Sequence, residues 1–230
     1  MTAPLVSCIV PVFNGERYLA EALDSVLAQT YRPLEIIVSD DGSTDGTRDV
    51  AAAHGGRLVY LYGSNGGPAT ARNRGLRAAR GTFAAFLDAD DLWGPEKVEV
   101  QMARFEARPA LSLCCTYVQN SADPTAARAG SADLAVSQVI RSCTIISLLA
   151  RRDVFDTVGG FDPGLAVGED TEWFLRAAQS GAVREVVPRI LAYHRWHPGS
   201  LSARRASACR EALLDNVRDV LARRRRGAQA

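Results

Sequence analysis

The strongest constraint on the fold is a regular alternation of short apolar runs and longer amphipathic segments in the first part of the chain. The apolar runs are rich in valine, isoleucine and alanine, which is typical of strands buried on both faces of a sheet. The segments between them place apolar residues three and four positions apart, as one face of a helix requires. This order predicts an α/β domain with a largely parallel sheet. We predict strands at 5–11, 35–39, 58–61 and 82–87, and helices at 16–29, 44–54 and 69–79.

Acidic residues follow two of these strands. Asp40 and Asp41 come after the second strand, and Asp88, Asp90 and Asp91 come after the fourth. In a sheet of this kind, ligands bind in the crevice beyond the carboxyl ends of the strands. Neighbouring carboxylates suit Mg²⁺ or Mn²⁺, which bind substrate phosphates with few protein ligands. The same residues also suit turns and helix N-termini, so the pattern alone leaves a purely structural role open.

The second half of the chain is less regular. Residues 120–135 are rich in alanine, serine, aspartate and glycine, and we expect a mobile surface loop there. Residues 154–168 contain mainly turn signals. No internal repeat or linker divides the chain, so a single domain is expected. The other predicted elements are helices at 95–107 and 169–180, strand structure at 111–118 and 183–193, and a basic amphipathic helix at 204–226.

Composition excludes several classes of protein. The 230 residues carry 27 basic and 26 acidic side chains, a net charge of +1, which argues against nucleic-acid binding. The N-terminus lacks a basic and apolar leader, and the sequence has no uninterrupted apolar run of about 18 residues. The five cysteines show no C-x-x-C spacing, so we expect reduced thiols in the core. These features favour a cytoplasmic protein.

A series of short motifs runs through the chain in a fixed order: PVFN at 11–14, SVLAQTY at 25–31, EIIV at 35–38, DDGSTD at 40–45, ARN at 71–73, DADD at 88–91, GGFD at 159–162, GED at 168–170 and YHRWH at 193–197. In these motifs the sequence resembles the family 2 glycosyltransferases. Members of that family have the GT-A fold, a Rossmann-like α/β domain that binds nucleotide-diphospho-sugars. The resemblance spans roughly nine-tenths of the chain by eye.

The resemblance implies a domain organisation. Residues 1–204 would form one GT-A domain, a largely parallel sheet flanked by helices with a smaller acceptor-side region. Within it, 1–92 would be the nucleotide-binding part and 93–204 the acceptor and catalytic part. Residues 205–230 would form a C-terminal basic amphipathic helix and tail.

The resemblance also implies roles for donor-site residues. Pro11 and Asp41 match positions around the nucleobase, with Asp40 and Arg72 nearby. In the D-x-D motif, Asp88 would approach the ribose. Asp90 would bind a divalent cation, Mn²⁺ or Mg²⁺, that bridges the donor diphosphate. His197 lies where some relatives have a further metal or phosphate ligand.

The catalytic base implied by the resemblance is Asp170. One carboxylate acting on the acceptor hydroxyl, on the far face of the anomeric carbon, gives direct displacement with inversion. Glu169 competes for this role, but adjacent helix residues point about 100° apart, so both cannot face the site. A purely structural alternative, first-turn acidic charge on a helix, stays open. The loop at 159–162 would lie under the donor sugar.

The resemblance therefore implies an inverting, metal-dependent glycosyltransferase. It would transfer the sugar of a UDP-sugar to a hydroxyl acceptor such as a saccharide or a lipid-linked glycan. The acceptor would meet residues 120–135 and 143–149. The basic residues of the C-terminal helix suit the end of a helix, where their charge complements the dipole, followed by a frayed tail, and this interpretation is slightly favoured. The alternatives are contact with a membrane surface, at the inner face, or with a second copy of the chain. One alternative is a sugar nucleotidyltransferase, although the basic glycine-rich loop typical of those enzymes is missing after the first strand. Another is a scaffold subunit without activity, which the intact Asp41, Asp90 and Asp170 argue against.

Overall fold

A computed structural model describes residues 3–130 and 138–197 of the chain. Helices and strands alternate through the first half, as the sequence pattern predicts. The strands are β1 (Val6–Val12), β2 (Leu34–Asp40), β3 (Val59–Tyr62), β4 (Phe83–Phe86), β5 (Leu92–Trp93), β6 (Leu113–Ser121), β7 (Val139–Ile140), β8 (Leu149–Arg151) and β9 (Arg184–Arg195). The helices are α1 (Leu19–Leu27), α2 (Thr47–Ala53), α3 (Gly67–Ala78), α4 (Lys97–Ala107), α5 (Pro124–Arg128), α6 (Asp153–Val158) and α7 (Glu169–Gln179).

The strands form one sheet in the order β3-β2-β1-β4-β8-β6-β9-β5, with β7 paired to β6. The first four strands in this order, β3, β2, β1 and β4, run parallel to one another, as the alternation of strands and helices requires. The register places Val12 beside Asp40 and Ile9 beside Phe86, so the carboxyl ends of β1, β2 and β4 lie at one edge. The expected single α/β domain, with its sheet flanked by helices, is confirmed.

The second half of the sheet is mixed. Strand β8 is antiparallel to both β4 and β6, and β5 is antiparallel to β9, while β6 and β9 run parallel. The antiparallel β5–β9 pair sets Leu92 opposite Tyr193. Because of this pairing, the end of β9 returns to the residues that follow β4, which brings the last motif of the sequence to the carboxylate edge.

The second half differs from the sequence prediction in two places. The predicted mobile loop at 120–135 begins inside β6, which runs to Ser121, and it contains α5, while its residues 131–135 lie outside the described residues. Asp123 caps that helix by accepting from the Ala126 amide at 3.0 Å, and Pro124 fits the first helical turn. The region at 154–168 is not only turns, because α6 extends to Val158. The predicted helix at 204–226 lies outside the described residues.

The core lies between the sheet and its helices. Strand β1 is buried along its whole length, because helices cover both faces of the sheet. Helix α3 packs directly on β1, and a Cβ added at Gly75 would lie 2.5 Å from Cγ2 of Ile9. Cys8, Cys114 and Cys115 are buried free thiols, as expected from the sequence. Over residues 3–130 and 138–197, the helices are all too short or too polar to cross a membrane.

Candidate active site

The carboxylates of the first half gather beside helix α3. Asp40 ends β2 and Asp41 follows it, while Asp88 comes two residues after β4. Two arginines of α3 reach these groups: Arg74 contacts Asp41 and Arg72 contacts Asp88. The two acidic clusters predicted from the sequence therefore face the same helix at one edge of the sheet.

Asp40 is fully buried and hydrogen-bonded to its neighbours. Its Oδ1 accepts from the Ser43 amide at 2.8 Å, and its Oδ2 accepts from the hydroxyl of Tyr60. Burial, together with this bond to Asp40, raises the pKa of Tyr60. Pro11, the other residue expected near the base, lies in β1 beside Ser39. These contacts hold the side chains in place at the edge of the sheet where β1 and β2 end.

Asp41 caps helix α3. Its Oδ2 accepts from the amides of Gly66 and Gly67 at 2.9 and 2.7 Å, and its Oδ1 lies 3.3 Å from Nη2 of Arg74. Only 3% of Asp41 is exposed. Gly67 has a φ of 85°, a conformation that favours glycine. Asp41 therefore has a structural role, which is to cap the N-terminus of α3, in addition to any contact with a ligand.

Arg72 joins two distant carboxylates. Its Nη2 donates to Asp88 Oδ1 at 2.7 Å and its Nη1 donates to Glu169 Oε1. The guanidinium is nearly fully buried and lies 5.8 Å from the ring centre of Phe161. Burial disfavours its charge, but Asp88, Glu169 and Asp170 together raise its pKa. Arg72 thus lies between the D-x-D motif and the start of α7, and its place near the nucleobase stays a prediction of the resemblance.

Asp90 and His197 meet directly. Nε2 of His197 lies 3.0 Å from Oδ2 of Asp90, and its ring packs against Tyr18 with the ring centres 5.1 Å apart. Two ligands of one octahedral ion at about 2.1 Å each lie roughly 3.0 Å apart when adjacent. The distance is that of a hydrogen bond, and it is also compatible with two adjacent ligands of one cation. Within 3–130 and 138–197, no group of three or more His, Cys, Asp or Glu side chains is arranged to bind a metal. A cation here would take its other ligands from substrate and water, as Mg²⁺ and Mn²⁺ commonly do.

Asp91, the third carboxylate of the motif, anchors strand β9. It is fully buried, and its Oδ1 accepts from the amide of Arg195 at 2.8 Å. Burial and the charges of Asp90 and Asp88 raise the pKa of Asp91 well above its ordinary value. The Arg195 side chain donates to the Asp90 carbonyl at 2.9 Å and to Glu21 at 2.7 Å. Sequence reasoning missed this role of Arg195, although the residue stands inside the YHRWH motif.

Asp170 and Glu169 differ in environment. Both belong to the first turn of α7, which follows Gly168 in the left-handed conformation. Glu169 is buried against Arg72, and burial raises its pKa, with Arg72 opposing and Asp170 adding to the shift. Asp170 is half-buried, and its Oδ1 accepts from the Thr171 amide at 2.7 Å. Of the two carboxylates, Asp170 is the more accessible.

The loop at 159–162 is fastened to α3 and α7. The Asn73 side chain donates to the Phe161 carbonyl at 2.7 Å and accepts from the Phe161 amide at 2.9 Å. On the other side, Trp173 donates to the Gly159 carbonyl at 2.9 Å and Arg176 donates to the Gly160 carbonyl at 2.7 Å. Asn73 follows Arg72 in the ARN motif, so two successive residues of α3 contact two segments of the second half of the domain, the loop at 159–162 and the start of α7. The motif contained Asn73, but nothing in the sequence indicated its partner.

The chain was compared with known proteins. Residues 7–163 match the family model described as glycosyl transferase family 2. An uncharacterized glycosyltransferase of Rickettsia typhi is 47% identical over 100 residues, which cover 44% of this chain and 31% of the relative. The uncharacterized glycosyltransferase EpsJ of Bacillus subtilis is 36% identical over 123 residues, 52% of this chain and 36% of the relative. The chain thus matches only about a third of the length of these relatives.

Solved structures show the same fold. The S. aureus TarS complex with UDP-GlcNAc superposes with a TM-score of 0.70 at 24% identity, covering 85% of this chain and 59% of that chain. A mannosyltransferase of Pyrobaculum calidifontis, in complex with GDP-Man and Mn²⁺, superposes with a TM-score of 0.67 at 22% identity, covering 89% and 60%. The matched segment 7–163 contains both acidic clusters and the ARN motif, and it makes up more than half of the chain. This chain belongs to glycosyltransferase family 2.

Proposed function

We propose that this chain is an inverting, metal-dependent glycosyltransferase that moves a sugar from a UDP-sugar to a hydroxyl acceptor. The observation that carries the proposal is the convergence of three groups at one edge of the sheet. The D-x-D carboxylates follow β4, His197 reaches Asp90 from the end of β9, and Arg72 ties Asp88 to the acidic start of α7. Family membership supports transfer chemistry and argues against a sugar nucleotidyltransferase.

The donor would bind along the ends of β1, β2 and β4. In this proposal Pro11, Asp40 and Asp41 lie around the nucleobase, and Asp88, held by Arg72, approaches the ribose. Asp90 and His197 would hold Mn²⁺ or Mg²⁺, which supplies positive charge beside the diphosphate leaving group. The donors printed for the two solved relatives, UDP-GlcNAc and GDP-Man, are both nucleoside-diphosphate sugars, which supports this donor class.

Asp170 would act as the general base. It would accept the proton of the acceptor hydroxyl as the oxygen attacks the anomeric carbon from the face opposite the diphosphate, which inverts the configuration there. Its accessibility favours this role over Glu169, whose carboxylate is buried against Arg72. The loop at 159–162, fixed by Asn73, would close the floor under the donor sugar.

The acceptor side would be built from the second half of the domain. In this proposal residues 1–92 bind the nucleotide and 93–204 bind the acceptor. The acceptor is a hydroxyl-bearing saccharide or lipid-linked glycan. Residues 205–230 would contact a membrane surface or a second copy.

The test is release of UDP from UDP-sugars, measured with Mn²⁺ against a panel of saccharide and lipid-linked acceptors. We expect the wild-type chain to release UDP in an acceptor-dependent way, and we expect Asp170→Asn to lose at least a hundredfold in rate because it lacks a base. Asp49→Asn, an exposed change on α2, is the matched control and should keep the wild-type rate. An Asp170→Asn variant with the wild-type rate would contradict the assignment. A chain that binds UDP with Mn²⁺ and releases none would favour the scaffold alternative.

A further inference from the structure

Helix α7 begins at a buried ion pair. Glu169, its first residue, has a side chain that is 7% exposed, and the side chain of its partner Arg72 is 5% exposed. The two residues are 97 positions apart in sequence and belong to different parts of the domain. Arg72 reaches Asp88 with its other terminal nitrogen. A single guanidinium thus connects the donor-side carboxylate with the helix that carries Asp170.

Resting on the function proposed above, we propose that Arg72 and Glu169 are positioning residues that hold Asp170 in place relative to the donor. Glu169 cannot itself serve the acceptor, because its carboxylate is buried and engaged by Arg72. Adjacent residues of a helix point about 100° apart, so fixing Glu169 inward directs Asp170 to a different side of α7. The planar, forked guanidinium suits a group that must hold two carboxylates in one geometry.

The surroundings of Arg72 support a positioning role. Phe161 lies against the guanidinium, and Asn73 grips the backbone of Phe161 through two hydrogen bonds. Further along α7, Trp173 stacks on Phe155 with ring centres 4.6 Å apart. Helix α7 is therefore held by aromatic packing in its middle and by the ion pair at its start. The packing sets where the helix lies, and the ion pair sets the rotation of its first turn.

Because the charges of Arg72 and Glu169 balance each other, even a conservative substitution of either residue should disturb the ion pair. Arg72 faces three carboxylates, those of Asp88, Glu169 and Asp170, all of which raise its pKa. Glu169→Gln keeps the shape and an acceptor oxygen but removes the charge that Arg72 neutralises. Arg72→Lys keeps a charge but loses the fork, so it cannot reach both carboxylates in the same way. Both variants preserve volume, which makes folding the expected outcome.

The experiment measures kcat for UDP release, the Kd for UDP with Mn²⁺, and the thermal unfolding midpoint. Glu169→Gln is the principal variant because it leaves the contact with Asp88 intact. We expect its kcat to fall at least tenfold while its Kd for UDP stays within twofold of wild type. Arg72→Lys should lower kcat by a similar factor, and the double variant should be no slower than the slower single variant, as expected for two residues that act as a unit. Arg77→Lys on the exposed face of α3 and Glu106→Gln on α4 are the matched controls.

The outcomes separate this inference from the proposed function. A Glu169→Gln variant with kcat within twofold of wild type would overturn the positioning role. So would a Glu169→Gln variant whose UDP affinity and kcat fall together, since this variant leaves the contact of Arg72 with Asp88 intact and a joint fall would indicate a damaged structure. Additive losses in the double variant would show that the two residues act independently. A wild-type chain that releases no UDP would instead contradict the proposed function itself, and the inference with it.

Discussion

Asp88, Asp90 and Asp91 stand within one short motif, yet the structure holds each carboxylate differently. Asp88 accepts from Arg72, Asp90 faces His197, and Asp91 is buried against the backbone of Arg195. Burial and neighbouring charge raise the pKa of Asp91, so it is the least suited of the three to bind a cation. At the scale of single residues, the three carboxylates therefore differ because each one contacts a different element of the fold.

Asp41 offers a direct test of its structural role. Its carboxylate, itself buried, accepts from the amides of Gly66 and Gly67 at the start of α3 and faces Arg74. Asp41→Ala should lower the free energy of unfolding by about 2–3 kcal/mol, because the two amides and the arginine lose their acceptor. Urea unfolding measures the change. The exposed Asp49→Ala on α2 is the control and should stay within about 0.5 kcal/mol of wild type. An equal, small effect at both sites would mean that Asp41 does not cap α3.

Lys97, the only lysine of the chain, predicts a pH effect on stability. It is fully buried, donates to Gln101 at 3.0 Å and lies 4.1 Å from the ring centre of Trp93. Burial lowers its pKa to about 8, below the ordinary value of 10.5. Between these values the unfolded chain binds more protons than the folded chain, so this residue makes stability rise with pH.

The measurement compares wild type with Lys97→Met in urea from pH 7 to pH 10, under reducing conditions. The difference in unfolding free energy should move in favour of wild type as pH rises above 8, by up to about 1.4 kcal/mol per pH unit. Burial raises the pKa of Cys8 and Cys114 well above this range, so both thiols stay protonated in the folded form of either protein. Their titration in the unfolded chain is common to both proteins and cancels in the difference. A difference that does not change with pH would contradict the lowered pKa.

The sequence identified the acidic residues but not their partners. Asp88 and Asp90 stand out because they follow a buried strand, whereas the role of Asp170 comes from the resemblance to the family 2 glycosyltransferases. The hydrogen bond between His197 and Asp90 joins residues 107 positions apart, and a contact at this separation cannot be predicted from a local sequence pattern. The same holds for Glu169, the rival candidate for the base, whose ion pair with Arg72 spans 97 residues.

At the scale of elements, α3 organises the site. It is capped by Asp41 at its start, its residues Arg72 and Asn73 contact the second half of the domain, and it packs on β1 through Gly75. The absence of a side chain at Gly75 is what allows this close approach.

Gly75→Ala tests this packing. The new methyl would lie 2.5 Å from Cγ2 of Ile9, a buried strand residue that cannot move aside cheaply. Overpacking of this kind costs about 1–3 kcal/mol, against about 1 kcal/mol gained in helix propensity. We therefore expect a net loss in chemical unfolding. Gly56→Ala, where no atom lies within 4 Å, is the control. A further change of Ile9 to Ala should cost less in the Gly75→Ala background than alone; equal costs would contradict the contact.

Long elements followed from the sequence and short ones did not. Strands β1 and β2 and helices α1 and α3 have apolar patterns long enough to identify. Strand β5 has two residues and β8 has three, and each exists only because a distant strand pairs with it. Helix α5 was overlooked because its small residues have no apolar periodicity, and a single aspartate cap marks its start.

At the scale of the whole molecule, the mixed half of the sheet brings its functional groups back to the parallel half. Strand β9 runs beside β6 and β5 and ends at Asp90, while α7 meets Arg72 of the first half. The candidate site is therefore shared between residues 1–92 and the residues that follow. The Rickettsia typhi and EpsJ relatives are about three times longer than the segments that match this chain, so about two thirds of each relative lies outside the match.

The central claim is that this shared edge is a metal-dependent nucleotide site, and titration calorimetry of UDP into the protein tests it most directly. The titration is made with Mn²⁺ and with EDTA, on wild type, Asp90→Asn and the control Asp49→Asn. The account predicts that UDP binds wild type and Asp49→Asn in the presence of Mn²⁺, and at least tenfold more weakly with EDTA or with Asp90→Asn. Equal affinity in all six titrations, or no binding of UDP by the wild-type chain with Mn²⁺, would contradict it.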